Sequence, residues 1–75
     1  MPEDAAERAK RLLLIFQNAI EREKSTQSIY KEAAELCDNE SLKKVLEGFY
    51  RDEVRHEVGL LEHYSKLREQ YNLET

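Results

Sequence analysis

One short polar cluster, Asp38-Asn39-Glu40-Ser41, is the only group of cap and turn residues between two long runs of helix formers. On either side the chain is rich in Ala, Leu, Glu, Lys and Arg, with two Gly and one Pro among 75 residues. Val, Ile and Thr are too scarce for a sheet, so two long helices joined by one turn are the expected product. The reading is a single all-α unit over residues 1–75, with helix one at about 3–37, a turn at 38–41 and helix two at about 41–71. Asp38 or Asn39 can cap the second helix, with Glu40 in its first turn, where the helix dipole favours a negative charge. Pro2, Glu3 and Asp4 suit the start of the first helix for the same reasons. Gly48 and Gly59 interrupt helix two at a cost of ~1 kcal/mol each relative to Ala, and glycine in a helix commonly permits close approach of a neighbour.

Charge narrows the range of partners. Twelve basic residues against sixteen acidic ones leave a net charge of −4, and no basic stripe tracks a phosphate backbone, so nucleic acid is not an expected ligand. No apolar run is long enough to span a membrane, and no apolar segment with a cleavage site opens the sequence. A cytoplasmic location is therefore expected. The lone Cys37 excludes an internal disulfide and a cysteine-rich iron or zinc site within one chain, and reads as a small core residue.

The apolar stripes carry an anomaly. At about 100° per residue, helix one presents Ala5, Ala9, Leu12, Phe16, Ala19, Glu23, Tyr30, Ala34 and Cys37 along one line, flanked near its middle by Thr26 and Gln27. Helix two presents Leu42, Leu46, Phe49, Glu53, His56, Leu60, Leu67 and Tyr71, with His63 at the edge. Each core face thus holds ionisable residues at its centre. Glu23 lies seven after Phe16 and seven before Tyr30, so no small change of phase turns it to solvent. Helix one also carries Leu14, Ile15, Ile29, Ala33 and Leu36 off this line. A helix with more than one apolar face is usually covered on more than one face, and one hairpin covers a single stripe of each helix. A homodimer forming a four-helix bundle, or a larger even-numbered oligomer, is expected.

Glu53-Val54-Arg55-His56 is a Glu-x-x-His, whose two side chains share a helix face and can reach one metal ion. Alone the motif is weak. If two antiparallel helices turn near residue 38, however, Glu23 falls opposite Glu53, and a turn at Asn39 moves it toward His56. Two hairpins together would supply four carboxylates and two imidazoles in a helical core, a donor set suited to Fe, Mn or Zn.

Ala19-Ile20-Glu21-Arg22-Glu23, Tyr30 seven after Glu23, Ala33-Ala34, Phe49 and Glu53-x-x-His56-Glu57 together resemble one half of a rubrerythrin or ferritin-like domain over roughly residues 19–67. The spacing of the two glutamates in a chain with one helix pair is similar to that of encapsulated ferritins. The resemblance implies Glu23, Glu53 and His56 as metal ligands and catalytic residues, and two iron ions per pair of subunits, with Mn or Zn as substitutes. It also implies Fe(II) and O2 as substrates, and a separate encapsulating protein shell, or nanocompartment, as partner, because one helix pair cannot close a storage cage. Tyr30 becomes a candidate for hydrogen bonding a ligand carboxylate. Glu57 reads as a solvated helix face or a guiding carboxylate, and His63 as an edge histidine or part of a metal route. Rubrerythrins carry a second helix pair and usually paired Cys-x-x-Cys motifs, and neither is found in this sequence. The expected function is oxidation of Fe(II) to Fe(III). The alternative is a metal-free or structurally metal-bound hairpin oligomer acting in assembly.

Overall fold

The computed structural model describes residues 4–71 and is entirely helical there, α1 spanning Ala5–Leu36 and α2 Glu40–Tyr71. Among the described residues there is no strand. Asp4 opens α1 as a cap: its backbone is extended and its carboxylate accepts from the Glu7 amide at 2.8 Å. Pro2 and Glu3, the other residues expected at this start, lie outside the described residues. Cys37 ends the helix by taking extended backbone, φ −82° and ψ 124°, while its amide still reaches the Ala34 carbonyl at 3.4 Å. Asn39 then restarts the chain as a helix. Its side-chain oxygen accepts from the Leu42 amide at 3.0 Å and its carbonyl from Lys43 at 2.8 Å, with Glu40 in the first turn.

The connection is so short that the helices must run antiparallel side by side, giving a rod of 55 × 22 × 17 Å. Contacts step along the seam from Tyr30 against Phe49 near the turn to Gln17 against Tyr64 toward the open end. The core is thin. Ala9, Leu13, Ile20 and Ala34 are buried, all on α1, and no residue of α2 is fully covered among those described.

This corrects the phase of the first stripe. Leu13 and Ile20 are buried, whereas Leu12 is exposed and Ala19 only half-buried. Residues meet along a long helix pair about every 3.5 positions, and a fixed 100° step drifts by about 20° per heptad against that repeat. The seam therefore runs between the Glu23 line and the Leu13–Ile20–Gln27–Ala34 line. Glu23 sits at its margin, toward the face that carries Leu12 and Ala19. The two glycines have no close neighbour that requires them: a methyl group at Gly59 would meet nothing within 4 Å, and one at Gly48 only an Arg51 side-chain nitrogen at 4.0 Å.

Candidate metal centre

Midway along the seam Glu23 reaches from α1 and Glu53 and His56 from α2, and one donor atom of each lies within 4.8 Å of the others. His56 Nδ1 is 3.3 Å from Glu53 Oε2 and 3.6 Å from Glu23 Oε2. The first distance follows from helix geometry, since residues three apart share a face. The second is set by the hairpin. Exposure is graded across the cluster: the side chains of Glu53 and Glu23 are 19% and 24% exposed, and that of His56 60%. His56 is thus the open side of the site.

Two carboxylates this close repel unless a proton or a cation stands between them. With both ionised, Oε2 of Glu23 is buried without a hydrogen-bond partner. With one proton, the acid belongs to Glu23. Its pKa is raised above the ordinary glutamate value, first by the hydrogen bond it then makes to Glu53, next by burial and by the Glu53 charge, against a smaller opposing effect of His56. Glu53 is lowered, chiefly by the same hydrogen bond and further by His56, although burial pulls the other way. A metal cation would satisfy the orphaned oxygen and both carboxylates at once. Oxygen donors with one imidazole fit Fe, Mn or Zn, so the residues present suit such an ion.

The other three sequence candidates are not drawn into this group. Tyr30 packs its ring on Phe49, centroids 5.4 Å apart and planes 53° to each other, and among the described residues its hydroxyl reaches no ligand carboxylate. Glu57 is neither a free solvated carboxylate nor a member of the cluster: it is half-buried, and Oε1 accepts from Gln27 Nε2 at 2.6 Å. His63 is exposed and lines a shallow groove with Leu12, Phe16 and Leu67 nearer the open end. Gln27 was missed as a site residue. Its signal was a polar side chain at a seam position, seven after Ile20 and seven before Ala34.

Fold and site together define a two-helix hairpin with a carboxylate–histidine cluster at mid-seam. The chain belongs to the rubrerythrin family, of the ferritin-like superfamily, whose family model matches residues 15–75. Neither a comparison with curated proteins nor one with solved structures gives a match. The family generally binds iron, and the Glu23–Glu53–His56 group is the place in this chain that could hold it. No helix among the described residues is long and apolar enough to cross a membrane.

Proposed function

We propose that two hairpins pair through the face that exposes His56, forming a four-helix bundle, and that the pair is a ferroxidase using O2. One observation carries the reading: three ligating side chains from two helices converge at mid-seam, with a buried oxygen that lacks a donor, beneath an apolar face. Helical phase places Leu12, Ile15, Ile29 and Leu36 of α1 on that face, with Leu42, Val45, Phe49 and His56 of α2, all of them exposed in the single hairpin. So broad an apolar surface marks an interaction site. A second copy fits because it would bring the same cluster to the same level, giving four carboxylates and two imidazoles around the two-fold axis.

Glu23, Glu53 and His56 of both chains would then hold two iron ions. Iron in such a site supplies one-electron chemistry: two Fe(II) yield two electrons, which with two protons convert O2 to hydrogen peroxide. The residues contribute charge and enclosure. Four carboxylates in a half-buried seam favour the more highly charged ferric product over the ferrous substrate. Pairing would cover His56 and keep bulk water from the cluster. The ferric product would pass to a separate protein shell, since a helix pair cannot enclose a mineral.

The test is O2 uptake on adding Fe(II), alongside native mass. The expected species is an even-numbered oligomer with about two irons per pair of chains, the stoichiometry of carboxylate-bridged bundles. Glu53→Ala and His56→Ala should each fall to the unassisted rate, and an unchanged rate in either overturns the assignment. The raised pKa of Glu23 favours a second reading, in which a shared proton rather than a metal satisfies the carboxylates. In that case chelator changes neither mass nor stability.

A further inference from the structure

The side of the cluster away from His56 is closed by one residue. Gln27 lies one turn after Glu23, half-buried, at a seam position where an apolar side chain is the ordinary occupant. Its Nε2 donates to Glu57 Oε1 at 2.6 Å and reaches the main-chain carbonyl of Glu53 at 3.5 Å. An amide nitrogen carries two hydrogens, so one group can serve both acceptors. One contact ties α1 to the α2 side chain a turn past Glu53. The other ties it to the backbone of Glu53 itself.

We infer that Gln27 is the positioning residue of the Glu23–Glu53–His56 cluster, its amide fixing the level and rotation of α2 at Glu53 so that the three ligating groups converge. The inference rests on the reading of that cluster as a metal site. The need for such a device follows from the thin core. No large side chain is fully buried among the described residues, so packing offers little to stop one helix sliding on the other. At the level of the cluster the seam is occupied by carboxylates, whose repulsion works to open it. A short hydrogen bond to a side-chain oxygen is directional, and supplies there what apolar contacts cannot. Glu57 is then an anchor for Gln27 and not a ligand. Its place on the closed side of α2, turned away from His56 and toward Gln27, agrees with that division.

Co(II) is the probe, because its visible spectrum reports ligand number and geometry independently of any iron oxidation. Gln27→Leu in the full chain should weaken Co(II) binding by about tenfold to a hundredfold, the usual effect of losing a group that orients a ligand. Its spectrum should change as well. The thermal midpoint of the metal-free chain should stay or rise, since leucine suits a seam position, and this separates positioning from simple structural damage. Glu57→Gln keeps an oxygen that accepts from Gln27 and should bind Co(II) within about threefold of the parent. Glu57→Leu should follow Gln27→Leu.

Glu53→Ala is the control that separates the two claims. If it binds Co(II) like the parent, the metal reading falls and the inference with it. If it loses Co(II) while Gln27→Leu keeps parental affinity and spectrum, the positioning role alone is overturned. Glu57→Gln as damaging as Glu57→Leu would assign the effect to charge at that position and would also overturn it.

Discussion

The two broad faces of the hairpin are built on different principles. One is laced shut by hydrogen bonds between the helices, Gln27 to Glu57 and Gln17 to the Tyr64 hydroxyl, over the buried Leu13 and Ile20. The other brings His56 Nδ1 to 3.6 Å from Glu23 and otherwise offers exposed Leu12, Ile15, Ile29, Leu36, Leu42, Val45 and Phe49 around it. Leu14, Val58 and Leu61 are exposed as well, but they lie around the back of the helices and do not extend this patch. A surface closed by its own polar contacts has no need of a partner. An apolar surface that exposes His56, one member of the three-residue cluster, is the face we propose for association. Under the proposed pairing the second copy would sit on this face, where the cluster of one chain is open.

The comparison breaks most sharply under charge. Ile29 and Leu14 are about equally exposed in the single chain, at 63% and 59%, so lysine at either should leave the hairpin itself intact. On the open face Ile29→Lys would bury an unpaired charge in the pair, costing about 3–5 kcal/mol, or roughly a thousandfold in association. Leu14→Lys on the back should leave the mass in solution unchanged. Light scattering across a dilution series distinguishes them, and an Ile29→Lys chain that still pairs like its parent would remove the open face as the interface.

Gly59 gives a smaller and subtler contrast. It lies one turn beyond His56 toward the open face, with nothing within 4 Å of where a methyl group would stand. In the Ile29→Lys background Gly59→Ala should stabilise α2 by ~1 kcal/mol in urea unfolding. In the parental background that gain should shrink or reverse, because the partner's surface would approach there. An equal gain in both backgrounds would mean that nothing comes close to Gly59.

The smallest effect concerns pH in the metal-free chain. The raised pKa of Glu23 contributes stability present below the unfolded value, near 4.5, and lost as pH rises through its folded pKa. The lowered pKa of Glu53 contributes stability present above that value and lost as pH falls through its folded pKa. The two slopes fall on opposite sides of that value, so the parent, compared with Glu23→Gln/Glu53→Gln, should be most stable near it and lose stability in either direction. With Co(II) present, protons compete with the cation for its donor atoms, and binding should weaken steadily as pH falls. A pH-independent Co(II) affinity would exclude carboxylate ligation.

Much of this architecture is legible in the residues, for identifiable reasons. Caps announce themselves chemically, and Asp4 and Asn39 do in space what their side chains suggest. That Glu23 comes near Glu53 and His56 follows from distance to the turn, because two rigid helices and a short connection fix the level to within about one helical turn. The rotation of each helix is less constrained. Leu12 and Leu13 are adjacent and identical in chemistry, and which one is buried depends on a drift that accumulates along the whole rod. Gln27 was legible only as an oddity, since a glutamine on a seam does not reveal whether it reaches water, a backbone carbonyl or Glu57.

The three-residue connection between two helices of equal length also sets the order in which the molecule closes. Tyr30–Phe49, Glu23–His56 and Gln17–Tyr64 span successively longer loops, and each costs little extra entropy once the one before it has formed. The chain can therefore zip from the turn outward, each new contact closing only a short effective loop on those already formed. Unzipping runs the other way, so the free end near Tyr64 can fray while the cluster remains closed. Two such chains would meet as finished hairpins, and their encounter, second order in concentration, would be the slow event in building the site.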